Sequence, residues 1–355
     1  MIDIEERPIA DAIDGVPDPS KCTILSGHDS ALEQMFENYR SGRMHHAWLL
    51  SGPRGIGKAS MAMMWAKFLF SYPDRRDLPP PPAQFDPGSI GEDIHRQVAQ
   101  GAHPQLLHLT RPWDEKTKRF KTQLSVEEIR RTQHFYGMTA GAGGWRVTIV
   151  DSIDDMNASA ANALLKILEE PPKKSLFFVL SHATGRPLAT IKSRCQQLTL
   201  QPLSDDQNLA VINRLGVQAS DADKQKAVEL SEGSVRRTIQ LLESTVMKDF
   251  SVFESLMKRQ ATGDGGDWKA VHKIADSLSR RGQEEAYGLF KDLVTGWIGA
   301  QVRSNQQVAL SELAGWAELW DKANRSSTLA EAFNLDKKQV ILSLFGDLFE
   351  RNRRG

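Results

Sequence analysis

Four residues in "SGPRGIGKAS" (residues 51–60) have the types and spacing of a phosphate-cradling loop: Gly52, Gly55, Gly57 and Lys58. In such a loop the backbone N–H groups and the positive end of the following helix hold phosphate oxygens. The lysine bridges the outer phosphates, and a Ser or Thr directly after it holds Mg²⁺. Here Ala59 stands in that last place and brings no oxygen. Ser60 comes one residue late, and a helical step of about 100° turns its hydroxyl away from the metal position. A glycine turn without a ligand is the competing reading of the same residues.

A second group belongs to the same chemistry. "RVTIVDS" ends an apolar run on Asp151, placed to hold Mg²⁺ or its water. In ATPases of the AAA+ class a glutamate follows and orients the attacking water, whereas Ser152 follows here. Asp154 and Asp155 fall past the strand end and are weak substitutes. Two separate parts of a hydrolytic apparatus are therefore missing. Further on, "ATIKSRCQQLTL" sets Ser193, Arg194 and Cys195 before a strand, an arrangement that means little until its place after the fourth apolar strand is considered.

The elements around these residues read as alternating strands and helices. "HAWLLSG" is a short buried strand entering the loop, and "KASMAMMWAKFLF" is the helix leaving it. "QLLHLT" (105–110) is another strand, and the apolar runs at 147–150 and 176–181 are unbroken rather than alternating, as in parallel strands covered on both faces. Ser125 and Glu128 make a capping box, and a glycine-rich turn, "GMTAGAGG", precedes Trp145. "NASAANALLKILEEPP" is a helix capped by Asn157 or Ser159 and stopped by two prolines. It leaves Glu169 and Glu170 at the end where the helix dipole disfavours negative charge. These two acids read as a solvated pair or as a contact for a cationic partner surface. Leu32, Met35, Phe36 and Tyr39 have helical spacing within 27–42. Residues 73–104, with four consecutive prolines at 79–82, form an insert carrying one short helix at 91–100.

After Pro202 the strand signal stops. The expected architecture is α/β: a doubly wound parallel-sheet domain over 1–201, then a short two- to three-helix unit over 202–245 and a second all-α region over 246–355. In the helical part, Trp268, Trp297, Trp316 and Trp320 read as core residues, since no basic residues interleave them.

Composition sets bounds. The chain has 355 residues, 40% hydrophobic and 25% charged, enough for two or three domains. Its 45 basic and 45 acidic side chains cancel, so no global field draws it to nucleic acid. Cys22 and Cys195 read as inert thiols. No apolar run reaches the ~20 residues that span a bilayer, and the acidic start lacks the order of an export signal, so a cytoplasmic protein is expected.

"GRMHHAWLLSGPRGIGKAS", "GAHPQLLHLT", "AANALLKILEEPP", "IKSRCQQL" and "EGSVRRTIQLL" together resemble the clamp-loader branch of the AAA+ proteins, in its bacterial DNA polymerase III delta-prime form. The resemblance covers most of residues 25–240. It implies a RecA-like AAA+ parallel-sheet domain (1–201), a small helical lid (202–245) and a C-terminal all-α collar (246–355) in a subunit of a pentameric ring beside gamma/tau motor and delta subunits, which loads a sliding clamp onto primer-template DNA in replication. In that resemblance Arg194 reaches the γ-phosphate of ATP held next door, an arginine finger acting in trans. Arg236 takes the lid position that senses nucleotide, with Arg237 as the neighbouring alternative. The chain itself is then neither a polymerase nor a competent ATPase. Many family members carry a four-cysteine zinc module where this chain has its proline-rich insert, so no zinc or other metal is expected. No cofactor is required, and ADP, ATP or phosphate in a degenerate loop is left open. An active motor-type ATPase is the alternative, and an unrelated small-molecule kinase a more distant one.

Overall fold

The computed structural model describes residues 8–13, 16–23, 25–78, 85–137, 144–182, 189–261, 266–304, 310–333 and 336–354. The prolines at 79–82 and most of the glycine-rich turn before Trp145 lie outside the described residues. The chain divides into two compact units, one of residues 1–217 with 232–236, the other of 218–231 with 237–355.

The first unit is built on a parallel sheet. Its elements in chain order are α1 (Asp29–Arg40), β1 (Ala47–Ser51), α2 (Lys58–Ser71), α3 (Glu92–Ala99), β2 (Leu106–Leu109), a small antiparallel hairpin of β3 (Trp113–Asp114) and β4 (Arg119–Phe120), α4 (Val126–Gly137), β5 (Arg146–Val150), α5 (Ala158–Glu169), β6 (Ser175–Ser181), α6 (Ala189–Lys192), β7 (Gln196–Thr199) and α7 (Asp205–Arg214). The five-stranded sheet has the order β2-β5-β6-β1-β7, with every pairing parallel. The hairpin has no counterpart in the sequence reading, because two-residue strands leave no periodicity to detect.

Alternation along the central strands sorts their side chains onto two faces. Trp48, Leu50, Val147, Ile149, Leu176, Phe178 and Leu180 join one core with Met35 and Phe36 of α1 and Trp65 and Phe68 of α2. Leu49, Val150, Phe177 and Val179 join the other, with Ile129 of α4 and Leu164 of α5. All seven residues of β6 are buried. The unbroken apolar runs in the sequence thus reflect a sheet covered on both sides, as expected for an α/β domain.

Helix boundaries follow local chemistry. Asn157 accepts a hydrogen bond from the Ala160 N–H and caps α5, a contact that contributes about 1 kcal/mol. Ser204 and Gln207 form a complete capping box at α7.

The second unit is helical: α8 (Asp221–Leu230), most of α9 (Val235–Glu243), α10 (Val246–Ala261), α11 (Trp268–Leu278), α12 (Glu284–Ser304), α13 (Leu310–Phe333) and α14 (Lys337–Arg354). Phe253 sits at its centre, with ring contacts to Phe250, Phe290, Trp297 and Phe345. Trp297 and Trp316 pack against this core, as expected. Trp268 and Trp320 differ: each is 44% exposed. Trp268 only leans edge-on against Phe349, so helical spacing placed the ring at the rim of the apolar face rather than inside it. Among the described residues no helix is long and apolar enough to cross a membrane.

Candidate functional site

The glycine loop leaves the C-terminal end of β1 and turns into α2. Gly55 and Gly57 adopt φ values of 81° and 102°, a region that side chains with a Cβ rarely enter. Gly55 has a second constraint. A Cβ there would lie 2.4 Å from Cβ of Arg236 and 2.5 Å from Oγ of Ser234. The segment Ser234–Arg236 therefore rides directly on the loop: the Ser234 hydroxyl donates to the Arg54 carbonyl at 2.8 Å, and the Arg236 N–H to the Gly55 carbonyl at 3.4 Å. On the other side a ring nitrogen of His28, at the start of α1, is 2.7 Å from the Ile56 carbonyl. Among the described residues, the N–H groups of Gly55, Ile56, Gly57 and Lys58 donate to no partner in the chain. Such a run of unpaired N–H groups at the start of a helix is an anion nest.

Lys58 is 3% exposed, and its ammonium donates to the carbonyls of Gly52 (2.7 Å) and Pro53 (2.5 Å). The lysine thus folds back into its own loop. Burial pushes it down to about 8, against the opposing fields of Asp151 and Asp154.

Asp151 follows β5 and lies between two imidazoles, with Nε2 of His108 and Nε2 of His182 each 3.9 Å from one of its carboxylate oxygens. Burial alone would raise this carboxyl, but His108, His182 and Lys58 outweigh it and hold it below the ordinary range. His182 moves down to about 4, by burial first and then by the positive charge of Lys58. The Ser152 side chain is buried and its Oγ has no hydrogen-bond partner among the described residues. Asp154 and Asp155 are already engaged. Asp154 accepts from the His182 N–H at 2.6 Å and from Ser181 Oγ at 3.2 Å, and Asp155 pairs with Arg111 at 3.4 Å.

These residues do not fit a magnesium-dependent hydrolytic site. Ala59 offers no ligand, Ser152 no carboxylate, Lys58 is bonded to backbone carbonyls, and Asp151 faces imidazoles. They do fit a phosphate group, which needs only donors and positive charge.

The titrations of His182 and Lys58 act in the same direction on stability. His182 is neutral in the fold down to about 4, whereas an unfolded histidine takes its proton near 6.5. Between those values the unfolded chain binds more protons, so the contribution of neutral His182 is present above pH 6.5 and is lost as pH falls toward 4. Lys58 adds a second rise between about 8 and 10.5. The urea midpoint is expected to increase from pH 5 to pH 7, and His182→Gln to flatten that increase in the same titration.

Arg194 lies elsewhere. It comes two residues before Gln196, which pairs with Trp48 near the start of β1, whereas the glycine loop follows Ser51 at the far end of that strand. From His46 to Ser51 at roughly 3.3 Å per residue is about 17 Å. Its guanidinium donates to Oε1 of Glu169 at 2.6 Å, to the Thr190 carbonyl at 2.9 Å and to Ser193 Oγ at 3.3 Å. Glu169 thus contacts a cation of its own chain, an ion pair that neither reading of the acidic pair included. Cys195, buried in the core of Leu49 and Phe177 with its thiol pushed up to about 12, anchors this turn.

The structure therefore brings Gly52, Gly55, Gly57, Lys58, Asp151 and Arg236 to one end of the sheet and sets Arg194 at the other. Sequence reading missed Asp11, His28, Arg54, Arg111, His108 and His182 at the first end. His108 and His182 left a usable signal, a polar residue interrupting or ending an apolar strand. Asp11 and Arg111 left none.

A parallel sheet of this order, with a glycine loop after β1 and an acid after β5, defines a RecA-like AAA+ domain, here joined to a helical unit. The family model described as DNA polymerase III, delta subunit, matches residues 27–204, about half of the chain, and the chain belongs to that family. DNA polymerase III subunit delta' of Pseudomonas aeruginosa is 40% identical over 153 residues, 43% of this chain and 42% of that protein. The Bacillus subtilis subunit delta' is 31% identical over 172 residues, 48% and 47% of the two chains. Subunit tau of Escherichia coli is 28% identical over 190 residues, 53% of this chain and 27% of tau. The alignments to the delta' relatives span about half the length of each. A solved gamma subunit-related protein from Thermotoga maritima covers 92% of this chain and is itself fully covered, at 16% identity and a TM-score of 0.43.

Proposed function

We propose that this chain is a delta-prime-type subunit of a clamp loader that does not hydrolyse ATP itself. It joins gamma/tau motor and delta subunits in a pentameric ring and lends Arg194 to the ATP of a neighbouring motor subunit while the sliding clamp is loaded onto primed DNA. In this reading the helical residues 246–355 are the collar that joins the ring. It works in the cytoplasm and requires no cofactor. Its own loop keeps the ability to hold a phosphate group of ADP or ATP.

The observation that carries this reading is the separation of Arg194 from the chain's own glycine loop, by about the length of a strand. A half-buried arginine so placed cannot reach a phosphate held in cis. What supports the absence of turnover is the set Ala59, Ser152 and inward-folded Lys58. A motor-type ATPase would need those positions filled.

The test is ATP hydrolysis by the purified chain alone and then mixed with motor and delta subunits, clamp and primed DNA. No turnover alone, with turnover in the mixture that depends on Arg194, is expected. Turnover by the isolated chain that Lys58→Ala abolishes would overturn the proposal.

A further inference from the structure

The arginines nearest the glycine loop converge on one carboxylate of the same unit. Arg54, within the loop, lies 2.5 Å from Oδ1 of Asp11, and Arg111, just past β2, lies 2.8 Å from the same oxygen. Arg236 donates to the backbone carbonyl of Asp11. Asp11 itself sits in a tight turn, closed by the Ala12 N–H on the Ile9 carbonyl, with φ 62°. Asp tolerates that left-handed conformation better than most residues. The turn presents its carboxylate and its carbonyl together to the guanidinium groups.

This contact belongs to the loop's own electrostatic neighbourhood. Arg54, Arg111 and Asp11 all act on Asp155, while Arg54 also acts on Lys58 and His182, the groups that line the nest and flank Asp151. Guanidinium groups gathered beside a run of unpaired N–H groups are what a polyphosphate chain binds. In this conformation a carboxylate holds them instead.

We propose that Arg54, Arg111 and Arg236 form the outer part of a polyphosphate site whose resident anion is Asp11, so that a nucleoside diphosphate must displace the chain's own residues 9–12. The carboxylate supplies one negative charge in place of two or more, and it does so through side chains that are a quarter to a half exposed. Exposed ion pairs of this kind are weak and exchange readily. The consequence is a loop that binds nucleotide poorly while the segment occupies it, and better when the segment is released. The inference rests on the reading that the loop retains a phosphate site and is independent of the role given to Arg194.

The experiment is calorimetric titration of the full chain with ADP and, separately, with inorganic pyrophosphate. The chains compared are wild type, Asp11→Asn, and Asp11→Asn combined with Arg111→Ala, each checked for an unchanged thermal midpoint. Asp11→Asn keeps the size of the side chain and removes its charge. It is expected to tighten both ligands about tenfold, and Arg111→Ala to reverse most of that gain. Equal affinity in wild type and Asp11→Asn would overturn the self-occupied site while leaving the loop as a phosphate binder. Tightening for ADP alone would move the effect to the nucleoside and overturn the polyphosphate assignment. Absence of binding in every chain would overturn the phosphate site itself, and with it this inference, leaving the reading of Arg194 intact.

Discussion

Replacing Arg194 with alanine is expected to lower ATP hydrolysis at the receiving motor site by ~10³-fold or more, with ring assembly unchanged. The size follows from what a guanidinium does beside a phosphoryl group in transfer. It neutralises charge that grows on the equatorial oxygens, and arginine fingers contribute ~10³–10⁵ in rate. Assembly should survive because the side-chain contacts of Arg194 among the described residues are local, to Thr190, Ser193 and Glu169. The turn that carries it is held by Cys195 and Ile191, which are buried and untouched by the change. Glu169 holds the guanidinium by an exposed pair worth about 0.2–1 kcal/mol, little enough for a phosphate to displace. Arg194→Lys keeps the charge but loses the planar fork, so an intermediate rate is expected. Single-turnover hydrolysis in the mixed complex reads the effect at one site. A rate unchanged by Arg194→Ala would count against a role in trans.

The parts of this architecture that were legible in the sequence are those whose signal is local. The apolar runs at 147–150 and 176–181 mark strands covered on both faces, and they became β5 and β6 with a residue added at each start. Of the two caps expected for α5, Asn157 and Ser159, the helix uses Asn157. The glycines and Lys58 could be placed together because a motif is by definition contiguous. What could not be read depends on contacts between segments distant in the chain. Asp11 meets Arg111 across a hundred residues, and Arg194 meets Glu169 across twenty-five. Neither pair has a spacing that periodicity can reveal. The exposed rings of Trp268 and Trp320 show the same limit in the helical unit: apolar spacing gives the face of a helix, and the neighbours decide how deep a ring lies.

Phe178→Ala is expected to destabilise the first unit by about 3–5 kcal/mol, the range for truncating a buried phenylalanine in a packed core. Phe178 has no exposed surface and lies at the middle of β6, the strand between β5 and β1. Its ring fills space among Trp48 of β1 and Ile149 of β5 in the same core, and removing it leaves a cavity that rigid parallel strands cannot close. The functional consequence comes from where β6 ends. The Ser181 carbonyl accepts from the Gly52 N–H at 3.3 Å, and Ser181 Oγ and the His182 N–H hold Asp154. The strand that Phe178 anchors therefore fixes the first residue of the glycine loop and the turn after Asp151 at once. Equilibrium denaturation in urea reads the stability. Phe178→Leu, which keeps most of the volume, should cost under about 1.5 kcal/mol. Equal losses for the two variants would mean that the position does not depend on filling the core, and that the geometry of the loop is set elsewhere.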